Sequence, residues 1–149
     1  MSEWGKTSLQ RILESADIEQ GVSRIRRMDM LVNITQHHRT IWLKFFDSPS
    51  LERIFMESPD LDKDPVTEDE AMFVQLIMLH LTTILTAVRK GLLPKTADQD
   101  ADLKAFFRLP IPQITWRRTK ILYDPATRRY IDELLKAIDF EAINPKYQN

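Results

Sequence analysis

The uncharged run from Ala71 to Val88 most constrains what this chain can fold into. Helix signals frame the run on both sides. Thr67 and Glu70 form a T-x-x-E capping box, in which each side chain bonds a backbone N–H that the first helical turn leaves unpaired. Gly91 supplies the left-handed residue that commonly follows a helix. The pattern predicts one long apolar helix over residues 67–90, lying in a protein core or in a membrane.

The polar residues of this segment favour a protein core. Four of them recur at seven-residue spacing and define one narrow polar stripe: Glu68, Gln75, Thr82 and Arg89. The uncharged run also falls just short of the ~20 apolar residues that a membrane-spanning helix needs. We therefore predict an all-α fold, a bundle of five or six helices around a central buried helix whose polar stripe faces water.

Composition agrees with a single helical domain. Only three glycines occur in 149 residues, whereas sandwiches and barrels need many turns with positive φ. The absence of cysteine excludes a disulfide scaffold and thiolate metal sites. We expect one domain over residues 1–149, with a frayed tail at 140–149. The N-terminus lacks the basic-then-apolar layout of a signal peptide, so we expect a cytoplasmic protein.

Apolar spacing and prolines divide the chain into further helices. The predicted elements are a helix over 8–46 broken near Gly21, a short helix after Ser48-Pro49 with Leu51, Ile54 and Phe55 turned inward, a helix over 98–108, a break at Leu109–Pro112, a helix over 113–122 carrying Ile114, Trp116 and Ile121, and a last helix from Pro125 to about Ala137. Asp124 and Pro125 are typical of an N-cap and first helical residue.

The long N-terminal helix carries an apolar stripe that predicts self-association. The candidate residues are Ile18, Ile25, Met28 and Val32, spaced at three-, four- and seven-residue steps as in a coiled-coil seam. In one interpretation residues 1–22 project from the domain and pair with another copy, while the part from about Ile25 packs on the central helix. In the other, the whole helix folds back. We favour the first, because pairing buries a stripe that a compact monomer leaves exposed.

Motifs for catalysis or metal binding do not survive inspection. Asp60, Asp62 and Asp64 have the spacing that opens a calcium loop, but Pro65 and Ala71 occupy the positions that require Gly and Glu. The histidines lack the i, i+4 spacing of a helical zinc site. We therefore predict no catalytic residue, no metal and no cofactor, and we regard an enzyme as the least favoured class.

Two other binding modes remain open. His80 lies on the buried side of the central helix, and a pocket near His80, Trp116 and Tyr130 is the basis of a small-molecule sensor hypothesis. A basic face near the C-terminus is the basis of a less favoured nucleic-acid hypothesis. Its residues are Arg117, Arg118, Lys120, Arg128 and Arg129. A net charge of −1 gives no general attraction to nucleic acid.

Two stretches, LERIF…SPDLDKDPVTEDEAMFVQLIMLHL…GLLP and LPIPQITWRRTKILYDPATRRYIDELL, resemble an uncharacterised family of small bacterial all-helical domains. The resemblance covers about residues 51–135. It rests on the capping box before an apolar helix, then Trp116, then the Tyr-x-Pro start of the last helix at Tyr123. Family members often carry a membrane helix ahead of a coiled-coil-like segment, and this sequence lacks that helix. The resemblance implies an all-helical fold and no activity.

The sequence thus predicts a non-enzymatic helical protein-interaction module that forms a homodimer or binds another protein. A small-molecule sensor and a nucleic-acid binder are the alternatives. No membrane span is expected in the chain, which leaves peripheral association with a membrane open.

Overall fold

The computed structural model describes residues 8–143, with side-chain environments from Ser15 to Asp139, and this part of the chain is all-α without strands. The elements are α1 (Ser8–Phe46), a 3₁₀ helix (Pro49–Phe55), α2 (Glu68–Arg89), α3 (Ala97–Phe107), α4 (Pro110–Thr119), a second 3₁₀ helix (Lys120–Leu122) and α5 (Pro125–Ile143). The predicted all-α bundle with a long N-terminal helix is confirmed. Of the frayed tail expected at 140–149, residues 140–143 belong to α5, and residues 144–149 lie outside the described residues.

Helix α2 forms the centre of the bundle and contacts α1, α4 and the first 3₁₀ helix. Phe73, Val74, Ile77 and Met78 turn into the core, where they meet apolar side chains from α3, α4 and α5. The largest fully buried side chain is Trp116 on α4. Burial of these side chains supplies the main stabilisation of the bundle, at about 25 cal/mol for each Å² of apolar surface removed from water.

The start of α2 matches the prediction. Glu70 N–H donates to Thr67 Oγ1 at 3.2 Å, and Thr67 N–H donates to Glu70 Oε2 at 2.9 Å, which completes the capping box. At the other end, Gly91 has a φ of 69°, the left-handed conformation that favours glycine. Local sequence signals therefore fix both ends of α2.

Arg53 ties the first 3₁₀ helix to the start of α2. Its Nε and Nη2 atoms donate to the two carboxylate oxygens of Glu70, each at 2.8 Å. Its Nη1 and Nη2 atoms also donate to the carbonyl oxygens of Asp64 and Pro65 at 2.8 and 3.0 Å. Glu70 is only 2% exposed. Its hydrogen bond with Arg53 holds the pKa of the carboxyl below its usual value, against the opposing effect of burial.

Helix boundaries depart from the sequence prediction in three places. Helix α1 runs without a break through Gly21, because a glycine inside a helix costs only about 1 kcal/mol and does not end it. Helix α4 begins at Pro110, so the expected break at Leu109–Pro112 is wrong. Both prolines lie in the first turn, where a missing N–H removes no helical hydrogen bond. Helix α5 continues to Ile143, beyond the expected end near Ala137, and buries Ile138.

The predicted polar stripe of α2 faces water only near the two ends of the helix, where Glu68 and Arg89 are exposed, whereas Gln75 is partly buried. Thr82 is buried, and its hydroxyl donates to the carbonyl of Leu79 at 3.1 Å, so its burial leaves no unpaired donor. Met72 and Leu79 are instead 68% and 60% exposed. The inward orientation expected for Phe55 is also wrong, since its side chain is exposed.

Within the described residues, α2 is the one helix that is long and apolar enough to cross a membrane. The criterion is length and composition alone, which the central helix of a soluble bundle also meets.

Replacing Glu70 with Ala is expected to lower the free energy of unfolding by about 2 kcal/mol or more, because it leaves Arg53 and the Thr67 N–H without their shared acceptor. Urea unfolding followed by circular dichroism measures the change. The matched control is Glu68→Ala, an exposed acidic residue of the same first turn, which is expected to cost less than about 1 kcal/mol. Equal losses in the two variants would contradict the structural role of the Arg53–Glu70 pair.

Candidate interaction surfaces

Helix α1 packs on the bundle with only part of its length. Its 39 residues span about 58 Å at 1.5 Å per residue. Ile41 and Phe45 pack against the core cluster. The side chains of residues 15–20 are all exposed. The C-terminal part of α1 therefore belongs to the bundle, and an N-terminal segment presents its surface to solvent on every side.

An apolar stripe runs along the outward side of α1. The predicted self-association residues all lie on it: Ile18, Ile25, Met28 and Val32 are exposed by 68, 62, 58 and 50%. Val22, which was not among the predicted residues, belongs to the same stripe and is 42% exposed. Ile34, partly buried, lies about 160° around the helix from Ile18 at 3.6 residues per turn. We call Ile18, Val22, Ile25, Met28 and Val32 the α1 stripe; it faces away from the bundle.

A second apolar surface lies along α2. Met72, Leu76 and Leu79 form the floor of an open groove with a volume of about 670 Å³, which we call the α2 groove. Lys44 and Ser48 line it from the end of α1, and Leu122 and Tyr123 line it from the α4–α5 connection. This volume lies in the range of small-molecule sites. The sequence could not reveal the groove, because the i, i+4, i+7 spacing of its floor is equally typical of a core face.

Three histidines meet where α1 packs on α2. The ring centroid of His80 lies 5.5 Å from that of His38 and 6.5 Å from that of His37. His38 Nε2 accepts a hydrogen bond from Trp42 Nε1 at 2.8 Å. His80 is 6% exposed, as the sequence suggested, and its Nδ1 atom has no hydrogen-bond partner in the described part of the chain. Burial lowers the pKa of His80, and the neighbouring His38 and His37 add to that effect.

The described residues contain no group of three or more His, Cys, Asp or Glu side chains placed to hold a metal ion. In the acidic loop, Asp60 Oδ1 accepts a hydrogen bond from the Lys63 backbone N–H at 3.2 Å, a contact that stabilises a turn.

The other two residues of the expected pocket contact different neighbours. Trp116 is fully buried, and its Nε1 donates to Asp132 Oδ1 at 3.0 Å. Tyr130 donates a short hydrogen bond to Asp100, and burial together with this bond raises its pKa to about 12. Tyr130 lines a cavity of about 250 Å³ between α2, α3 and α5, whereas His80 lines one of about 100 Å³ between α1 and α2. These contacts give no support to one pocket shared by His80, Trp116 and Tyr130.

The predicted basic face is partly neutralised. Arg117, Arg118 and Arg129 are exposed. Lys120, however, forms an ion pair with Asp132 at 3.1 Å. Arg128 is only partly exposed, and its buried Nε has no hydrogen-bond partner among the described residues. The exposed cations therefore come from two different helices, α4 and α5. Between them in the sequence lies Lys120, whose charge is compensated by Asp132.

Comparison with known proteins gives no relative from which a role could be transferred. No protein-family model matches the chain, and no curated protein or solved structure matches it significantly. The resemblance to small bacterial all-helical domains therefore stays a prediction.

The histidine cluster predicts a pH-dependent loss of stability. Because the pKa of His80 is lower in the folded than in the unfolded chain, the unfolded state binds more protons, and the free energy of unfolding is expected to fall as the pH drops below about 6.5. Urea unfolding at pH 7.5 and 5.5 measures the difference. His80→Gln is expected to reduce this difference, whereas His37→Gln, at an exposed position, keeps most of it. An unchanged difference in His80→Gln would refute the assignment.

Proposed function

We propose that this chain is a non-enzymatic helical protein-interaction module that self-associates through the α1 stripe. The observation that carries the proposal is the row of large apolar side chains on the face of α1 directed away from the bundle. Contiguous apolar surface that a protomer leaves open to water is typical of an interaction site. Catalysis is the least favoured class because the sequence carries no catalytic motif.

The expected strength of association follows from the stripe itself. Full burial of one such side chain contributes about 1.5–3 kcal/mol, and the five stripe residues are 42–68% exposed. Each therefore contributes about 1 kcal/mol on pairing, and ten from two chains contribute on the order of 10 kcal/mol. The loss of translational and rotational freedom offsets about 4 kcal/mol or more. The remainder, about 6 kcal/mol or less, predicts a dimer with a dissociation constant of roughly tens of micromolar or weaker.

Ile25→Glu is expected to raise the dimer dissociation constant at least roughly 10-fold, because it places a charge in the middle of the apolar stripe. Sedimentation equilibrium from about 10 to 1000 μM, the range set by the expected affinity, measures the constant, and far-UV circular dichroism verifies that the helix persists. Gln20→Glu is the matched control, since Gln20 is exposed on α1 outside the stripe. A wild-type chain that stays monomeric throughout this range would refute self-association.

The α2 groove favours a second candidate, the binding of an apolar small molecule. In this candidate, the small-molecule site lies on the groove floor formed by Met72 and Leu79. The sequence had predicted a pocket near His80, Trp116 and Tyr130 instead. The volume of about 670 Å³ supports this candidate. Lys44 and Asp69 line the groove as well, so that polar groups are available to orient a bound molecule.

Leu79→Glu is expected to weaken binding of the fluorescent probe anilinonaphthalene sulfonate by roughly 10-fold, because the bound probe would have to cover a carboxylate. Fluorescence titration measures the affinity. Ile121→Glu is the control, since Ile121 is 77% exposed and does not line the groove. Equal weakening in both variants would assign the probe to general surface binding and contradict a groove site.

A further inference from the structure

We infer that α1 pairs with a second copy of this chain as a parallel, in-register, two-stranded coiled coil. The inference rests on the self-association proposed above and adds the partner's orientation and register. The seam covers residues 18–35.

The a positions of the seam have the residue types that two parallel strands prefer. When Ile18 is assigned heptad position a, the next a positions are Ile25 and Val32, while Gly21, Met28 and Thr35 fall at d. β-Branched residues at consecutive a positions favour parallel dimers, because their side chains fit the packing geometry of two parallel helices. The exposed Arg39 takes the following a position, so the apolar seam ends there.

Charge next to the seam selects the parallel orientation. Arg24 lies at position g, and Asp29 lies at position e of the next heptad. In a parallel in-register pair, a g residue meets the e residue five positions further along the partner helix. Arg24 of each chain then meets Asp29 of the other, which gives two equivalent opposite-charge pairs. Neither residue forms an ion pair within the described part of one protomer.

The antiparallel alternative lacks this complementarity. An antiparallel pair that buries the same seam sets a positions against d positions, with Ile18 opposite Thr35 and Ile25 opposite Met28. That register places Arg24 near Leu31 of the other chain and Asp29 near Val22. Both charges then lie against apolar side chains, which disfavours the arrangement.

The bundle leaves room for the parallel dimer. The side of α1 that packs on the bundle, at Ile41 and Phe45, lies about 140–180° around the helix from Ile18. The seam at Ile18, Ile25 and Met28 therefore faces away from the packed side. Two copies then place their bundles on the outer flanks of the coiled coil, both at its C-terminal end.

Cysteine cross-linking tests the orientation. The chain has no cysteine, so a disulfide formed by a variant with one introduced cysteine must join the same position of two chains. Ile18→Cys and Thr35→Cys, each in the full chain, are oxidised in a glutathione redox buffer and analysed by non-reducing electrophoresis. The parallel register predicts that each variant forms a disulfide with itself, at least roughly 10-fold faster than the exposed control Gln20→Cys, because seam thiols meet across the dimer whereas the control thiols do not.

The outcomes separate the orientation from the proposed function. A sedimentation result showing only monomers would overturn both. A dimer in which Ile18→Cys and Thr35→Cys link to one another when mixed, but not to themselves, would overturn the parallel register and leave self-association standing.

A charge exchange tests the register independently. Arg24→Asp and Asp29→Arg are each expected to raise the dimer dissociation constant by roughly 10-fold, and the double variant is expected to restore it. Arg27→Asp makes the same charge change at an exposed position outside the seam and is expected to leave the constant unchanged. Failure of the double variant to recover would overturn the pairing of Arg24 with Asp29.

Discussion

The paired hydrogen bonds between Arg53 and Glu70 set the geometry on which the other contacts depend. Glu70 serves at once as the third residue of α2, as one half of its capping box and as the acceptor for Arg53. The same guanidinium holds the carbonyls of Asp64 and Pro65. The start of α2, the loop before it and the 3₁₀ helix are thereby joined through one charged group, whose charge-assisted hydrogen bonds are stronger than neutral ones.

With the start of α2 fixed, the described part of the bundle leaves the α2 groove and the α1 stripe uncovered, for different reasons. The α2 groove is open because α1 and the Leu122–Tyr123 connection line α2 from both sides without closing over Leu79. The α1 stripe is open because α1 packs on the bundle with its opposite side, at Ile41 and Phe45. The groove has walls and a limited volume, which suit a small apolar molecule. The α1 stripe has no walls and encloses no volume, and a long flat row of side chains suits another helix.

Features that rest on neighbouring residues were predictable, and features that rest on contacts between distant segments were not. The capping box at Thr67 and the N-cap at Asp124 are read directly, since each depends on residues within one turn. The exposure of Leu79 depends on which helices cover α2, and this arrangement cannot be predicted from the sequence of α2 alone. The meeting of His80 with His38 and the bond from Arg53 to Glu70 likewise join segments far apart in the chain. Pro110 misled the prediction because proline both ends helices and begins them.

The physical state of α1 favours pairing as the role of its stripe. An isolated helix is marginally stable in water, and most helical stability in proteins comes from packing of an apolar face. The side chains of residues 15–20 of α1 are all exposed in the described part of one protomer, and Gly21 adds a further cost of about 1 kcal/mol. A second helix laid against Ile18 and Ile25 supplies the missing packing without disturbing the contacts of Ile41 and Phe45 with the bundle. Self-association would then stabilise α1 itself, so dimer dissociation and loss of helical structure in this segment are expected to occur together.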